Sequence, residues 1–162
     1  MAPDSIDPSC DLTSASSGKR KAAVRKMGTS RRRDAISLLT RALSDSNSGV
    51  RQEAATALGK QEDPESVPAL ITTLRDESAE VRQAALRSLI RIHDSRAAVP
   101  ASNLLRDPDF RVRIGAARLL GVVGNEDSLA AVSAMLSDPL SEVREEAERA
   151  LSGIRRRGGR SR

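Results

Sequence analysis

The segment Asp45–Leu74, DSNSGVRQEAATALGKQEDPESVPALITTL, decides the fold because the rest of the chain repeats its pattern. The dipeptide Val50-Arg51 returns as Val81-Arg82, Val112-Arg113 and Val143-Arg144, and each step is 31 residues. A fixed period of this length is typical of solenoids, in which each unit buries its apolar face against its neighbours. The sequence therefore predicts an internal repeat protein.

Each unit is predicted to contain two helices. The apolar residues in the first half of the quoted segment have the i, i+4, i+7, i+8 spacing of one helical face, which predicts a first helix, helix A, over about residues 48–60. They are Val50, Ala54, Ala57 and Leu58. The apolar residues of the second half predict helix B. They are Val67, Leu70, Ile71 and Leu74. Because Pro68 cannot donate a main-chain hydrogen bond, either helix B starts near it or the first turn of helix B is distorted.

Equivalent positions of successive units carry the same residue types. Two apolar columns predict a continuous core: Ala23, Ala54, Ala85, Ala116, Ala147 and Met27, Leu58, Leu89, Leu120, Leu151. A third column, Gly28, Gly59 and Gly121, predicts close approach of neighbouring helices. The predicted fold is all-α, an α-solenoid with a right-handed superhelix of about four and a half helix-turn-helix repeats over residues 19–154. The first helix A is predicted over about Lys19–Gly28, and a lone final helix A over about Glu142–Ile154.

The positive charge of the chain lies at its two ends. Residues 19–33 contain eight Lys or Arg and no acid, and residues 155–162 contain five Arg and no acid, within a net charge of +5. Such ends could attract nucleic acid. The chain has one Phe and no Trp or Tyr, so the aromatic rings on which the bases of single-stranded nucleic acid stack are missing. This favours the interpretation that the basic ends serve only to keep the protein in solution.

The termini and the compartment are predicted from composition. Residues 1–18, rich in Ser, Asp and Pro, are expected to form a disordered tail, and residues 155–162 a basic disordered tail. No stretch resembles a signal peptide or reaches the length of a membrane span, and the single Cys10 cannot form an internal disulfide. We therefore expect a cytoplasmic protein without a membrane partner.

The quoted segment resembles the HEAT-like repeats of the phycobilin-lyase type, whose units read roughly D-x-x-x-x-V-R-x-x-A-x-x-A-L-G and then D-P-x-x-V-P-x-L-x-x-x-L. Residues 50–59, VRQEAATALG, and 63–74, DPESVPALITTL, carry the resemblance, which extends over about residues 19–154. It implies that the A helices form a convex wall and the B helices a concave one. Most members of the family are scaffolds or adaptors. The motif specifies the fold better than the function.

The chain offers little for catalysis. Some members of the resembled family are di-iron hydroxylases with His-Glu pairs just after the Val-Arg position, and the corresponding pairs here contain no histidine: Gln52-Glu53, Gln83-Ala84, Ile114-Gly115 and Glu145-Glu146. The single His93 is interpreted as a turn residue, because a metal site needs several ligands. We predict no enzyme activity, no catalytic or metal-binding residues and no cofactor.

An arginine column and an aspartate column are interpreted as structural. Asp45, Asp76, Asp107 and Asp138 close the units, and Arg51, Arg82, Arg113 and Arg144 each follow an aspartate by six residues. Each arginine could form a bidentate pair with the carboxylates of its own and of adjacent units. The functional alternative is a row of cations for phosphates.

The leading hypothesis is a non-enzymatic scaffold or adaptor that holds a protein partner in a groove lined by the B helices. The candidate partner-binding residues are Ser66, Ala69, Thr73, Ala97, Ala101, Asn103 and Ala130, with Phe110 as an aromatic that either anchors the partner or packs locally. One alternative is a nucleic-acid-associated protein that uses the basic ends. Another, implied by the resemblance alone, is an accessory subunit of a chromophore lyase or other modifying enzyme.

Overall fold

The computed structural model describes residues 11–30 and 34–158, which contain nine α-helices and no strand. The helices are α1 (Ser17–Met27), α2 (Ala35–Ala42), α3 (Ser48–Gln61), α4 (Val67–Thr73), α5 (Ala79–Ile92), α6 (Ala98–Asn103), α7 (Phe110–Val123), α8 (Ser128–Ala134) and α9 (Ser141–Gly158). Short 3₁₀ turns at Pro64–Ser66, Ser95–Ala97, Leu104–Arg106 and Met135–Ser137 flank the even-numbered helices.

The helices stack as an α-solenoid. The odd-numbered helices, which are the predicted A helices, pack against one another in chain order, and each even-numbered helix, a predicted B helix, packs mainly on the odd-numbered helix that follows it. Both apolar columns are buried along their whole length. The translational pattern in the sequence therefore becomes one continuous core.

The glycine column does bring the A helices into close contact. A Cβ added to Gly59 would lie 2.8 Å from Ser88 Cα, and one added to Gly121 would lie 2.9 Å from Ala150 Cα. Ser88 uses the same proximity to donate a hydrogen bond of 2.8 Å from its hydroxyl to the Ala55 carbonyl. These helices pack backbone against backbone.

Local signals set the ends of the helices. The Asn47 side chain accepts hydrogen bonds from the Gly49 and Val50 N–H groups at the start of α3, and Pro68 lies in the first turn of α4, as expected. α3 and α5 end on Glu62 and His93, whose φ angles of 52° and 59° are left-handed. His93 is therefore the helix-terminating turn residue that the sequence indicates.

Both predicted tails are partly wrong in extent. Residues 155–158 continue α9, because Arg157 turns back and donates from Nη1 and Nη2 to the carbonyls of Gly121 (2.6 Å) and Gly124 (3.0 Å) at the end of α7. At the other end α1 begins at Ser17, and Leu12 packs against the core. The remaining tail predictions, for residues 1–10 and 159–162, lie outside the described residues.

Candidate partner-binding surface

A ladder of arginine–aspartate pairs runs along the loops between units. Arg51 donates from Nε and Nη2 to the two carboxylate oxygens of Asp76, at 2.7 and 3.0 Å. The same bidentate pair, always 25 residues apart, joins Arg20 to Asp45, Arg82 to Asp107 and Arg113 to Asp138. Each pair ties one unit to the next, and its planar geometry is the strongest that arginine makes with a carboxylate.

Within its own unit each arginine contacts the main chain, and not the carboxylate that the sequence also suggested. Arg82 Nη1 donates to the Asp76 carbonyl at 2.8 Å and to the Glu77 carbonyl at 3.0 Å. Arg144, the last member of the column, keeps only such contacts, to the Asp138 and Pro139 carbonyls. Within the described residues it pairs with no carboxylate.

The pairs lower the pKa values of ladder carboxylates. Hydrogen bonding by Arg20 holds the pKa of Asp45 below its ordinary value. Burial alone would raise the pKa of Asp76, but the bonds from Arg51 and from the Ser78 N–H outweigh it and lower that pKa. The ladder therefore holds ionised carboxylates beside guanidinium groups, and these guanidinium groups are bound within the protein.

Half of the predicted partner-binding residues are inaccessible. Ser66, Ala97 and Ala101 are fully buried and Thr73 is 7% exposed, so these four predictions are wrong. The buried side of α4 contains Leu70 and Leu74, and Thr73 lies beside them on that side and donates its hydroxyl to a main-chain carbonyl. Small side chains here allow close packing on the next A helix.

The other predicted residues occupy different environments. Asn103 and Ala130 are exposed, and Ala69 is half-buried. Phe110 is the first residue of α7, and not a loop residue; it is half-buried and packs against the core, with the Arg111 guanidinium 5.5 Å from its ring centre. It therefore packs locally, which is one of the two roles predicted for it, and its role as a partner anchor stays a prediction.

The exposed side of the B helices, here called the B face, contains two adjoining depressions. One is lined by Ile71, Thr72, Leu74, Arg75, Val99, Pro100, Asn103 and Leu104. The other is lined by Ser102, Asn103, Leu105, Arg106, Ala131, Ala134, Met135, Ser137 and Asp138. Because Asn103 lines both, the two form one continuous surface across α4, α6 and α8. Val99, which lines the first depression, is 76% exposed.

The sequence prediction missed Arg75, Arg106 and Val99. The 31-residue register places Arg75 and Arg106 at equivalent positions, and this signal could have identified them. Val99 is exposed because it occupies the repeat position of Pro68, which is exposed as well, while Ala98 and Ala101 occupy the positions of Val67 and Leu70.

The basic N-terminal end is partly engaged within the molecule. Arg20 belongs to the ladder, and Arg25 pairs with Glu53 at 3.0 Å. Lys19 and Lys26 are exposed, whereas Arg31, Arg32 and Arg33 lie outside the described residues. At the C-terminal end Arg155 and Arg156 are exposed. The cations left for nucleic acid are therefore fewer than composition indicates.

No metal-type cluster or membrane helix is found in the part of the chain that the structure describes. Its residues bring together no group of three His, Cys, Asp or Glu side chains able to hold a metal ion. None of its helices combines the length and the apolar character needed to cross a bilayer.

The repeat is matched by a known family model. The model for HEAT repeats matches residues 10–89 and again residues 67–152. The chain belongs to the HEAT-repeat family. Among curated proteins none matches this HEAT-repeat chain.

Solved structures show the same architecture. The complex of CpcE and CpcF of phycocyanin lyase from Nostoc sp. PCC7120 contains a chain 27% identical to this HEAT-repeat protein, with a TM-score of 0.80 over 92% of this chain and 64% of that one. An engineered protein is also 27% identical, with a TM-score of 0.65 over 93% of this chain and 79% of that one. A designed armadillo repeat protein in complex with the peptide (KR)4, 22% identical with a TM-score of 0.69 over 91% of this chain and 80% of that one, shares the fold.

Proposed function

We propose that this HEAT-repeat protein is a non-enzymatic scaffold or adaptor whose B face holds a segment of a protein partner. The observation that carries the proposal is the continuous surface across α4, α6 and α8, in which Val99 lines one depression and is 76% exposed. An exposed aliphatic residue flanked by half-buried Ile71 and Leu104 offers apolar area that folding leaves unused.

The opposite side of the solenoid supports the choice of the B face. The exposed A-helix surface contains ion pairs that link neighbouring helices, Arg25–Glu53 and Arg118–Glu146, at 3.0 and 2.8 Å. Its charges are partly used to join units, whereas the B face keeps apolar and cationic side chains without partners among the described residues.

The comparison with phycocyanin lyase also supports a protein partner. That structure is a complex of two different proteins, and HEAT solenoids have extended surfaces suited to such contacts. Because this chain spans 64% of the chain it resembles, the lyase activity is not transferred to it. A role as accessory subunit of a modifying enzyme remains a narrower form of the same proposal.

Site-specific photocrosslinking tests the proposal. A photoreactive amino acid is placed at Thr72 or Asn103, both exposed on the B face, and for control at Lys60 or Arg91, both exposed on A helices. Cells expressing each variant are irradiated, and crosslinked species are identified by mass spectrometry with and without nuclease treatment. We expect a nuclease-resistant protein adduct from the B-face positions only. Adducts from the A-helix positions alone, or adducts to nucleic acid, would contradict the proposal.

A further inference from the structure

The B face combines apolar surface with two arginines. Arg75 lies in the first depression with Ile71 and Val99, and Arg106 lies in the second with Ala131. The two arginines are 31 residues apart and so occupy equivalent positions of successive units. Arg75 follows the end of α4 by two residues, and Arg106 is the last residue of the 3₁₀ turn that follows α6.

Neither arginine is used by the fold as an ion-pair partner. Arg75 and Arg106 are exposed, and in the described part of the chain neither side chain forms a hydrogen bond or a salt bridge. The ladder arginines, by contrast, are bound in bidentate pairs; Arg51 is 7% exposed. Two guanidinium groups with all their donors free can therefore each bind an external carboxylate in the same bidentate geometry.

No nearby carboxylate neutralises these cations. Asp138 is the one acid that lines either depression, and Arg113 already binds both of its oxygens, at 2.8 and 3.1 Å. Glu77, close in sequence to Arg75, pairs with Arg51 at 3.0 Å. The B face consequently has uncompensated positive charge beside exposed aliphatic surface.

We propose that the two depressions hold an acidic segment of the partner protein, with carboxylates on Arg75 and Arg106 and an aliphatic side chain against Val99. The inference rests on the proposed function and adds the chemistry of the partner. The exposed Val99 favours protein over nucleic acid, because phosphates would leave it uncovered and neither depression is lined by an aromatic ring on which a base could stack.

Binding of short labelled peptides tests this chemistry. One fluorescent peptide has Glu and Asp with Leu at every fourth position, a second has Lys and Arg in place of the acids, and a third probe is an oligouridylate of similar charge. Fluorescence anisotropy gives the affinity of each probe for the wild-type protein and for R75E/R106E. The matched control is R87E/R91E, which reverses two exposed arginines of α5 that also lack side-chain partners among the described residues.

We expect the acidic peptide to bind the wild type more tightly than either other probe, and the affinity to fall with salt. R75E/R106E should weaken it at least about tenfold, while R87E/R91E changes it less than about twofold. Melting temperatures measured in parallel show whether each variant is folded. Val99→Ser leaves both arginines in place and should weaken binding of the acidic peptide about threefold relative to the wild type.

Three results would overturn the inference: equal loss in R75E/R106E and R87E/R91E, tighter binding of the basic peptide, or tighter binding of the oligouridylate. If R75E/R106E does not fold, V99S and the neutral variant R75Q/R106Q carry the same comparison. The proposed function is tested separately, because a partner crosslinked to Thr72 through a segment without acids would refute the acidic chemistry and leave the scaffold role intact.

Discussion

Replacing Arg82 by alanine is expected to destabilise the solenoid by breaking one rung of the ladder. The Arg82 side chain is 11% exposed and that of Asp107 is 5% exposed, and Arg82 Nε lies 2.8 Å from Asp107 Oδ2. The substitution removes both bidentate hydrogen bonds and leaves the carboxylate with one main-chain donor, the Asp109 N–H at 2.9 Å. A buried carboxylate that loses its cation is costly because it has been removed from water.

The expected loss can be sized from these contacts. Breaking a fully buried ion pair by removing one partner costs about 3–5 kcal/mol, and the remaining bond from Asp109 reduces this, so we expect about 2–3 kcal/mol for Arg82→Ala. For a chain of this length each kcal/mol lowers the melting temperature by about 2–4 °C. Thermal and urea unfolding followed by circular dichroism measure the change.

Arg144→Ala is the matched control. Arg144 occupies the same column but makes only main-chain contacts, at 2.7 and 3.0 Å, and pairs with no carboxylate in the described part of the chain. We expect a loss of about 1 kcal/mol. Asp107→Ala and the double variant complete a cycle whose coupling energy should be about 1–3 kcal/mol. Equal losses for Arg82→Ala and Arg144→Ala, with no coupling to Asp107, would refute the structural interpretation of the ladder.

Three further predictions concern stability. The pKa values of Asp45, Asp76 and Asp138 are lowered in the folded state. The stability that these carboxylates contribute is therefore complete above the unfolded pKa of about 3.9 and is lost as pH falls through the lower folded values. Melting temperatures should drop progressively below about pH 4, and a rise would contradict this. Gly59→Ala should cost about 1–3 kcal/mol, because its Cβ would meet the Ser88 backbone at 2.8 Å, whereas Gly18→Ala, whose Cβ meets only Ser16 Oγ at 3.6 Å, should be neutral or stabilising in the same urea titration. His93→Gly should stabilise by about 0.5–1 kcal/mol, since His93 has a φ of 59°; a lower urea midpoint would show that its ring contributes more than its backbone costs.

The repeat architecture could be predicted because it depends on a pattern that recurs. The alanine and leucine columns each occupy one position per unit, and burial of one member implies burial of all. The ladder follows from the same logic, since an arginine and an aspartate that pair across one boundary between units can pair across every equivalent boundary. These features are set by helical period and by the unit length.

The partner surface was harder to predict because small side chains are ambiguous. Ala101 is equivalent to Leu70, one unit earlier, so the register indicated its burial although its size suggested a flat exposed face. Ala97 is equivalent to Ser66, a polar residue that gives no such signal. The shift of the Val-Pro pair to Val99-Pro100, which places Val99 at an exposed position, departs from the periodic pattern. Gln61 and Arg157 donate hydrogen bonds to carbonyls at the ends of preceding A helices, for example from Gln61 to Gly28 at 3.0 Å. No sequence motif connects the residues that these bonds join.

The central claim is that the ladder stabilises the fold and the B face binds the partner. Its most direct test measures the melting temperature and the acidic-peptide affinity of Arg82→Ala and of R75E/R106E, with the affinities measured below both melting temperatures. We expect Arg82→Ala to lower the melting temperature and keep the wild-type affinity, and R75E/R106E to keep the melting temperature to within about 2 °C and lose the affinity. Loss of affinity in Arg82→Ala with an unchanged melting temperature would mean that the ladder, and not the B face, binds the partner.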